Sequence, residues 1–396
     1  MLSMLIPKEL EEVFMKNSKH TMQDAANAHQ WNIHRGLCYN LHQNVKLINV
    51  IPVGSFPQYY KYPFIRCTKF GMDGENIGFC NVKLLREFHK ERKIYKALLR
   101  WCNSCDDEKT LFVYTISAPF VKAVAKIKKK FPKLNVCAIV ADLPNMANLS
   151  SKKSLIHRLY VRVRANKSYN SLSSIDYFVL LTKYMADYMQ LCQPYCVVEG
   201  IISPDEASVA DKHNDGLKRI VYTGTLHRRF GILHLLEAFR NIPDPNLRLI
   251  ICGIGDSEDE ILKAAEEDKR IDFRAQQPRD TVLKIQREAT VLVNPRQNNE
   301  EFTKYSFPSK TMEYLASGVP VIAYKLDGIP DEYDKYLIYP ENDTAKALTE
   351  TLSRVCDMDF EERERRGCLG KEYVLANKNL FVQTKRMLDF LSSLPQ

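Results

Sequence analysis

No stretch of this 396-residue chain approaches the apolar run of ~20 residues that a membrane-spanning helix needs, so any membrane contact is expected to be peripheral. No signal-like leader precedes its eleven cysteines, and their number is odd. A disulfide framework therefore fits poorly, and a reducing, cytoplasmic compartment is expected. The closest cysteine pairs, Cys102 with Cys105 and Cys192 with Cys196, lack the second couple that a zinc site requires and read as buried or incidental thiols. There is no repeat of fixed period and no low-complexity tract, which removes solenoids and fibrous classes. Also missing is any carboxylate between Asp142 and Asp176, a gap that holds Lys152, Lys153, Arg158, Arg162, Arg164 and Lys167. The formal charge of +9 is thus concentrated locally, and something anionic is expected against that face. In the same gap Leu155, Ile156, Leu159, Tyr160 and Val163 are spaced as one side of a helix. Such a helix suits an anionic membrane surface presenting a lipid-linked acceptor as well as it suits plain solvent. The basic runs lack interleaved aromatics, so nucleic acid is not among the expected partners.

What is present is the composition of a globular protein, 45% hydrophobic and 27% charged, at a length that suggests two domains, with a single barrel as the other option. From residue 218 onward short β-branched runs at 219–223, 247–252, 290–294 and 320–324 alternate with helical patterns. Between the first two, Ile232, Leu235, Leu236 and Phe239 repeat at i, i+3, i+4 and i+7, one buried helix face. Parallel strands with helical crossovers follow, a doubly wound α/β sheet. The first half repeats the theme at 45–52, 111–115, 136–140 and 177–181, with a short opening strand within 2–6 that is either minimal or preceded by missing chain. Residues 199–217 are rich in Ser, Pro, Asp and Gly and read as a linker. The expected division is 1–205, 206–375 and a C-terminal helix in 376–396 packing back toward the first domain, with Phe381, Met387, Leu388 and Leu391 available for burial.

Ligands of open parallel sheets bind beyond the carboxyl ends of the strands. The segment YSFPSKTMEYLASGVPVIA, residues 305–323, encodes a turn, a helix and a strand at such an end. Pro308 suits a helix start and Gly318 the position past its end, which places a helix at about 308–317. Ser309, Lys310 and Thr311 would then offer unpartnered N–H groups at the positive end of the helix dipole, a seat for a diphosphate. Glu313 lies one turn on, placed for a pair of ribose hydroxyls, although a solvated helix carboxylate is the ordinary alternative.

With the ending Ala316-Ser317-Gly318-Val319-Pro320-Val321, this helix resembles the donor-binding helix of the GT-B glycosyltransferases, and of glycosyltransferase family 4 in particular. The resemblance extends to residues 221–226, Gly231 and residues 235–239, which look like the loop and helix that open the donor domain. In the first half it is confined to 180–182 and 199–201. It implies two Rossmann-like domains facing across a cleft and a UDP- or GDP-linked sugar donor. It further implies retention of anomeric configuration, and no metal or cofactor. On this basis the donor-binding residues are Gly224, Thr225, Arg228, Arg229, Arg274, Gln276, Tyr305, Phe307, Ser309, Lys310, Thr311 and Glu313. Departures are also plain. Tyr305 replaces the family's first Glu, and Thr225 and Phe230 replace its diphosphate-binding Arg and Lys. Arg228 and Arg229, in the same loop, are the candidates to take over, and Glu301 is one source for the lost carboxylate. Residues 274–277 stand where the base is usually read, and Asp327-Gly328-Ile329-Pro330 resembles a loop at the cleft edge. The Phe-Pro-Ser-Lys opening is similar to a capsular or exopolysaccharide branch of the family.

On the acceptor side, Asp142 follows the run at 136–140, where a turn-forming Asp is the ordinary alternative, and Asn27, His29 and Trp31 have the polar and aromatic mix of a sugar-facing surface, although a single histidine such as His29 is more often structural. Asp142, Arg229 and Lys310 are the candidate catalytic groups. A nucleotide-sugar epimerase of the same fold and a nucleotide-binding scaffold with a decayed site are the competing readings.

Overall fold

The computed structural model describes residues 1–19, 24–104, 108–143, 172–206 and 216–394. The basic amphipathic stretch within 152–167 lies outside them, as do Cys105 and Pro144. The chain divides into two compact units, Met1–Glu199 with Gln383–Gln396, and Gly200–Val382. No helix among the described residues is long and apolar enough to cross a membrane.

The first unit opens with β1 (Leu2–Ser3), α1 (Lys8–Asn17), α2 (Asp24–Leu41) and β2 (Leu47–Asn49). Four short strands follow, β3 (Phe64–Ile65), β4 (Thr68–Phe70), β5 (Gly74–Asn76) and β6 (Phe79–Cys80). Then come α3 (Arg86–Cys102), β7 (Thr110–Tyr114), α4 (Ala118–Lys130), β8 (Asn135–Val140), β9 (Tyr177–Leu180), α5 (Tyr184–Met189) and β10 (Tyr195–Val197). Eight strands form one sheet in the order β10-β9-β8-β7-β1-β2-β5-β4, parallel throughout except for the β4–β5 edge pair. The central strands are apolar on both faces, as parallel strands covered by helices must be: Val136, Cys137, Ala138, Ile139 and Val140 of β8 are all buried. In α4, Pro119 starts the helix and Lys128, Lys129 and Lys130 complement the dipole at its end, while Phe120, Val124 and Ile127 face the core.

The second unit contains β11 (Lys218–Thr223), α6 (Ile232–Arg240), β12 (Leu247–Cys252), α7 (Glu258–Glu267), β13 (Ile271–Phe273), α8 (Arg279–Arg287) and β14 (Val291–Asn294). It continues with α9 (Ser309–Ala316), β15 (Val321–Ala323), β16 (Leu337–Ile338), α10 (Ala345–Cys356), α11 (Phe360–Asn377) and the first turn of α12 (Leu380–Ser392), whose residues from Gln383 belong to the first unit. Its six parallel strands are ordered β13-β12-β11-β14-β15-β16, which is 3-2-1-4-5-6 when counted within the unit. In that order the chain reverses direction across the sheet between β11 and β14, and the crevice at their carboxyl ends is the natural ligand site. Two helix starts are fixed by side chains: Thr344 accepts from the Ala347 amide at 3.2 Å and Asp359 from the Glu362 amide at 2.7 Å. A Cβ on Gly367 of α11 would stand 2.0 Å from the Gly318 carbonyl oxygen, so the absent side chain is what lets α11 close on the end of α9.

Candidate functional site

In the second unit, the turn after β11 and the end of β14 are pressed together at the reversal point. Gly231 sits at φ +81°, and a Cβ there would lie 1.9 Å from the Pro295 carbonyl oxygen. Only glycine satisfies both the left-handed backbone and that approach. The turn therefore delivers Arg229 and Phe230 beside Arg296, which follows Pro295. The Arg296 guanidinium carbon is 4.3 Å from the Phe230 ring centroid and 5.4 Å from that of Phe302, and Arg229 is 5.1 Å from both. Arg228, by contrast, is ion-paired to Glu260 on the surface, and its backbone amide donates to Asp256 at 3.0 Å.

The start of α9 lies at the end of the neighbouring connection. Pro308 precedes it in an extended conformation with no side chain capping the first amides and no acidic residue in the first turn. The amide of Thr311 already donates to the Pro308 carbonyl at 2.8 Å, and its hydroxyl accepts from Asn294 at 3.3 Å in full burial. Thr311 is thus a packing residue, and the open amides are those of Ser309 and Lys310. Phe307 is likewise buried, its ring 5.4 Å from that of Tyr333. Tyr305 donates to Glu301 at 3.1 Å, which joins it to the nearby carboxylate.

Glu313 is held more tightly than a solvated carboxylate. Its side chain is 11% exposed and accepts from Gln286 at 2.6 Å, Lys310 at 2.7 Å and Arg279 at 3.2 Å. Burial would raise its pKa, but the charges of Lys310 and Arg279 and the bonds from Gln286 and Lys310 outweigh it, holding the group below the ordinary carboxylate value. A carboxylate offers about four acceptor sites, so one remains open, and a second would open if Lys310 or Arg279 turned away. Both cations are about one-third exposed, at 32% and 34%, and have room to do so. Gln286, fully buried, also donates to Thr223 at 2.7 Å and so links this cluster to the end of β11. Neither Gln286 nor Arg279 is conspicuous in the sequence, because nothing local distinguishes a helix glutamine that faces inward.

Gly224 continues β11 by bonding the Cys252 carbonyl, and Thr225 gives its own carbonyl to the Tyr222 hydroxyl at 2.8 Å. Arg274 is paired with Asp272 at 2.7 Å on the surface, and Gln276 is exposed beside Ala275, whose φ is +48°.

The first unit gathers a separate group beyond the ends of β7 and β8. His29 Nδ1 is 3.2 Å from the Tyr114 hydroxyl, and its Nε2 is buried with no hydrogen-bond partner. Burial pulls His29 down to about 4. Burial raises Asp142, and burial together with the Asp142 charge raises Tyr114. Thr115, next to Tyr114, is a β-branched residue at φ +94°, the kind of backbone strain that collects at functional sites. Asn27 and Trp31 are otherwise employed. The amide of Asn27 accepts from the Ile6 N–H at 2.7 Å, and the Trp31 indole donates to the Ile6 carbonyl at 3.4 Å. Both pin the loop after β1. A groove of about 410 Å³ on the same unit, lined by Phe64, Glu75, Phe79, Lys93, Lys96 and Arg100, lies among β3, β5, β6 and α3.

Comparison with known proteins gives residues 217–358 a match to the family described as glycosyl transferases group 1. The D-inositol 3-phosphate glycosyltransferase of Corynebacterium glutamicum is 33% identical over 162 residues, covering 36% of this chain and 37% of that protein. The chain thus aligns with little more than a third of that relative's length. Among solved structures, an α,α-trehalose-phosphate synthase (UDP-forming) from Burkholderia xenovorans in complex with glucose-6-phosphate has a TM-score of 0.68 at 11% identity, covering 99% of both chains. The sucrose-phosphate synthase of Thermosynechococcus elongatus has a TM-score of 0.66 at 14% identity, covering 99% of this chain and 98% of the other. These likenesses show the fold, two Rossmann-like units of the GT-B kind.

Proposed function

From a second unit whose residues 217–358 match the group 1 glycosyl transferases, we propose that this chain is a glycosyltransferase that takes its sugar from a nucleotide-sugar donor. The observation that carries this reading is that Glu313, Lys310 and the Ser309 and Lys310 amides sit at the start of α9, tied to the end of β11 through Gln286 and Thr223 and to the end of β14 through Asn294 and Thr311, while Arg229 comes from the turn after β11. A carboxylate with an open acceptor site suits a ribose, and open amides beside cations suit a diphosphate. The B. xenovorans neighbour, UDP-forming, supports a UDP-linked donor by analogy.

His29 and Asp142, with Tyr114, are the acceptor-side groups on this reading. In a retaining transfer the acceptor oxygen bonds the anomeric carbon as its bond to the diphosphate breaks. The electron pair departs with the diphosphate, whose oxygen takes the acceptor's proton. The protein's part is to position the two substrates and to meet the charge on the leaving group, each worth several kcal/mol of barrier. Guanidinium and ammonium groups supply that charge, so the reading calls for no metal. A glycan or lipid-linked acceptor, a place in capsule or exopolysaccharide synthesis and a cytoplasmic, membrane-peripheral location are the finer parts of the proposal, resting on the Phe-Pro-Ser-Lys opening and the basic segment within 152–167.

The test is a thermal-shift screen of UDP- and GDP-sugars followed by product analysis with a panel of glycosyl acceptors, because a ligand that binds only the folded chain raises its melting temperature. One donor class that stabilises the protein and yields a glycosylated acceptor is expected. A donor converted alone into a different sugar nucleotide would make the chain an epimerase, and tight binding without turnover a scaffold.

A further inference from the structure

The side chain of Arg296 is not accounted for by its surroundings. Its Nε is shut off from water with no hydrogen-bond partner, and its longest reach, to the Ser306 hydroxyl, is a weak 3.4 Å contact. Burial draws the guanidinium down to about 10, the nearby Tyr222 and, more weakly, the Glu300 carboxylate oppose this, and Arg229 adds to it. Among the described residues no carboxylate forms an ion pair with Arg296 or Arg229. A buried donor without an acceptor costs about 1–3 kcal/mol, more when it is charged, and a second cation alongside adds to the cost. Yet the two guanidiniums are held against the same pair of rings, Phe230 and Phe302, at 4.3 to 5.4 Å. Aromatic faces attract cations and fix their planes. The outcome is two planar donor forks held against the same rings, with only the weak bond to Ser306 drawing on Arg296, which is the geometry that binds phosphoryl oxygens in pairs.

Their position specifies the anion. Arg229 comes from the turn after β11 and Arg296 from the end of β14, the two strands between which the sheet reverses, and Ser306 stands two residues before Pro308. We infer that Arg296 acts together with Arg229 as the cationic seat for the diphosphate of the donor, Arg296 supplying charge that positions 225 and 230 do not carry. This inference rests on the nucleotide-sugar reading. Phe230 then has a defined part: it is the platform on which both guanidiniums lie.

The experiment measures binding of UDP, GDP, UMP and inorganic pyrophosphate to the full chain by calorimetry, for the wild type and for Arg296→Met, Arg296→Lys and Arg229→Ala. Methionine keeps the volume and fits between the rings without the charge. The expected result is a loss of about tenfold or more in affinity for the nucleoside diphosphate and for pyrophosphate in Arg296→Met, the scale of one charge-assisted bond. UMP affinity should change much less, and Arg296→Lys should fall between. The unliganded melting temperature of Arg296→Met should not drop, since the substitution removes a buried, unbonded Nε and relieves the repulsion between two cations. Undiminished affinity for UDP, GDP and pyrophosphate in both Arg296 variants would overturn the inference. So would equal losses for UMP and the diphosphates accompanied by a lower melting temperature, which is the signature of a packing role. A wild type that binds pyrophosphate through the two arginines, yet neither UDP nor GDP, would keep the cationic seat and remove the nucleotide-sugar reading.

Discussion

The hydroxyl of Tyr314 accepts from the backbone N–H of Thr223 at 2.8 Å and donates to the backbone carbonyl of the same residue at 2.9 Å. The reason is visible in the register. The pairing of β11 with β14 ends at Val221 opposite Leu292, so the last residues of β11 outrun their neighbour and leave peptide groups to be satisfied. A fully buried tyrosine on α9 supplies both partners, and it fixes α9 relative to the strand whose end forms the crevice.

Tyr314→Phe leaves that buried N–H and carbonyl without partners, so a loss of about 1–3 kcal/mol in unfolding free energy is expected. Urea denaturation measures it. A midpoint unchanged within a few tenths of a kcal/mol would show that Tyr314 contributes only its ring.

Glu313→Ala and Arg229→Ala are each expected to weaken donor binding by about tenfold, the scale of one charged hydrogen bond. Isothermal calorimetry with the donor found in the screen is the measurement. Undiminished affinity in both variants would remove these residues from the donor site.

Glu313 also sets a pH dependence. Its folded pKa is below the ordinary 4.5, so its stabilising contribution is complete above 4.5 and is lost as pH falls through the folded value. Glu313→Gln should therefore show a shallower loss of stability than the wild type on acidification below 4.5, at the cost of a lower plateau at neutral pH. Parallel curves would mean that the ion cluster around Glu313 is not maintained in solution.

His29 acts in a higher window. Its folded pKa of about 4 lies below the ordinary 6.5, so the unfolded chain takes up a proton that the folded chain refuses as pH falls from 6.5 to about 4. Stability should decline across that interval by at most about 1.4 kcal/mol per pH unit from this residue. The decline should be absent in His29→Gln. A wild type and variant with the same slope between 6.5 and 4 would show that His29 titrates normally.

Much of the second unit was legible because its signals are local. Proline before and glycine after the helix at 309–316 bracket it to within one residue at each end, and the strands at 218–223, 247–252 and 291–294 follow β-branched runs. In the first unit the run at 45–52 yields only a three-residue strand. The short pairs β3–β6 and β4–β5 carry no periodicity long enough to read. The site divides in the same way. Lys310 and Glu313 share a helix turn and could be paired on paper. Arg279 and Gln286 reach the cluster from α8, and Arg296 meets the rings of Phe230 and Phe302 from the end of β14, placements that only the fold reveals. Asn27 and Trp31 had the composition of a sugar-facing surface, but the unpaired peptide groups of the loop after β1 claim them first. Phe307 and Thr311, inside the most informative stretch, are core residues, a distinction that burial alone reveals.

The bare α-carbon at position 231 joins two stretches of chain, 225–230 and 295–296, that evolution would otherwise be free to move independently. With no room for a side chain between them, the backbone that carries Arg229 and the backbone that carries Arg296 are held in contact. New donor preferences are then expected to arise by exchanging side chains on either flank, on a backbone frame that stays constant.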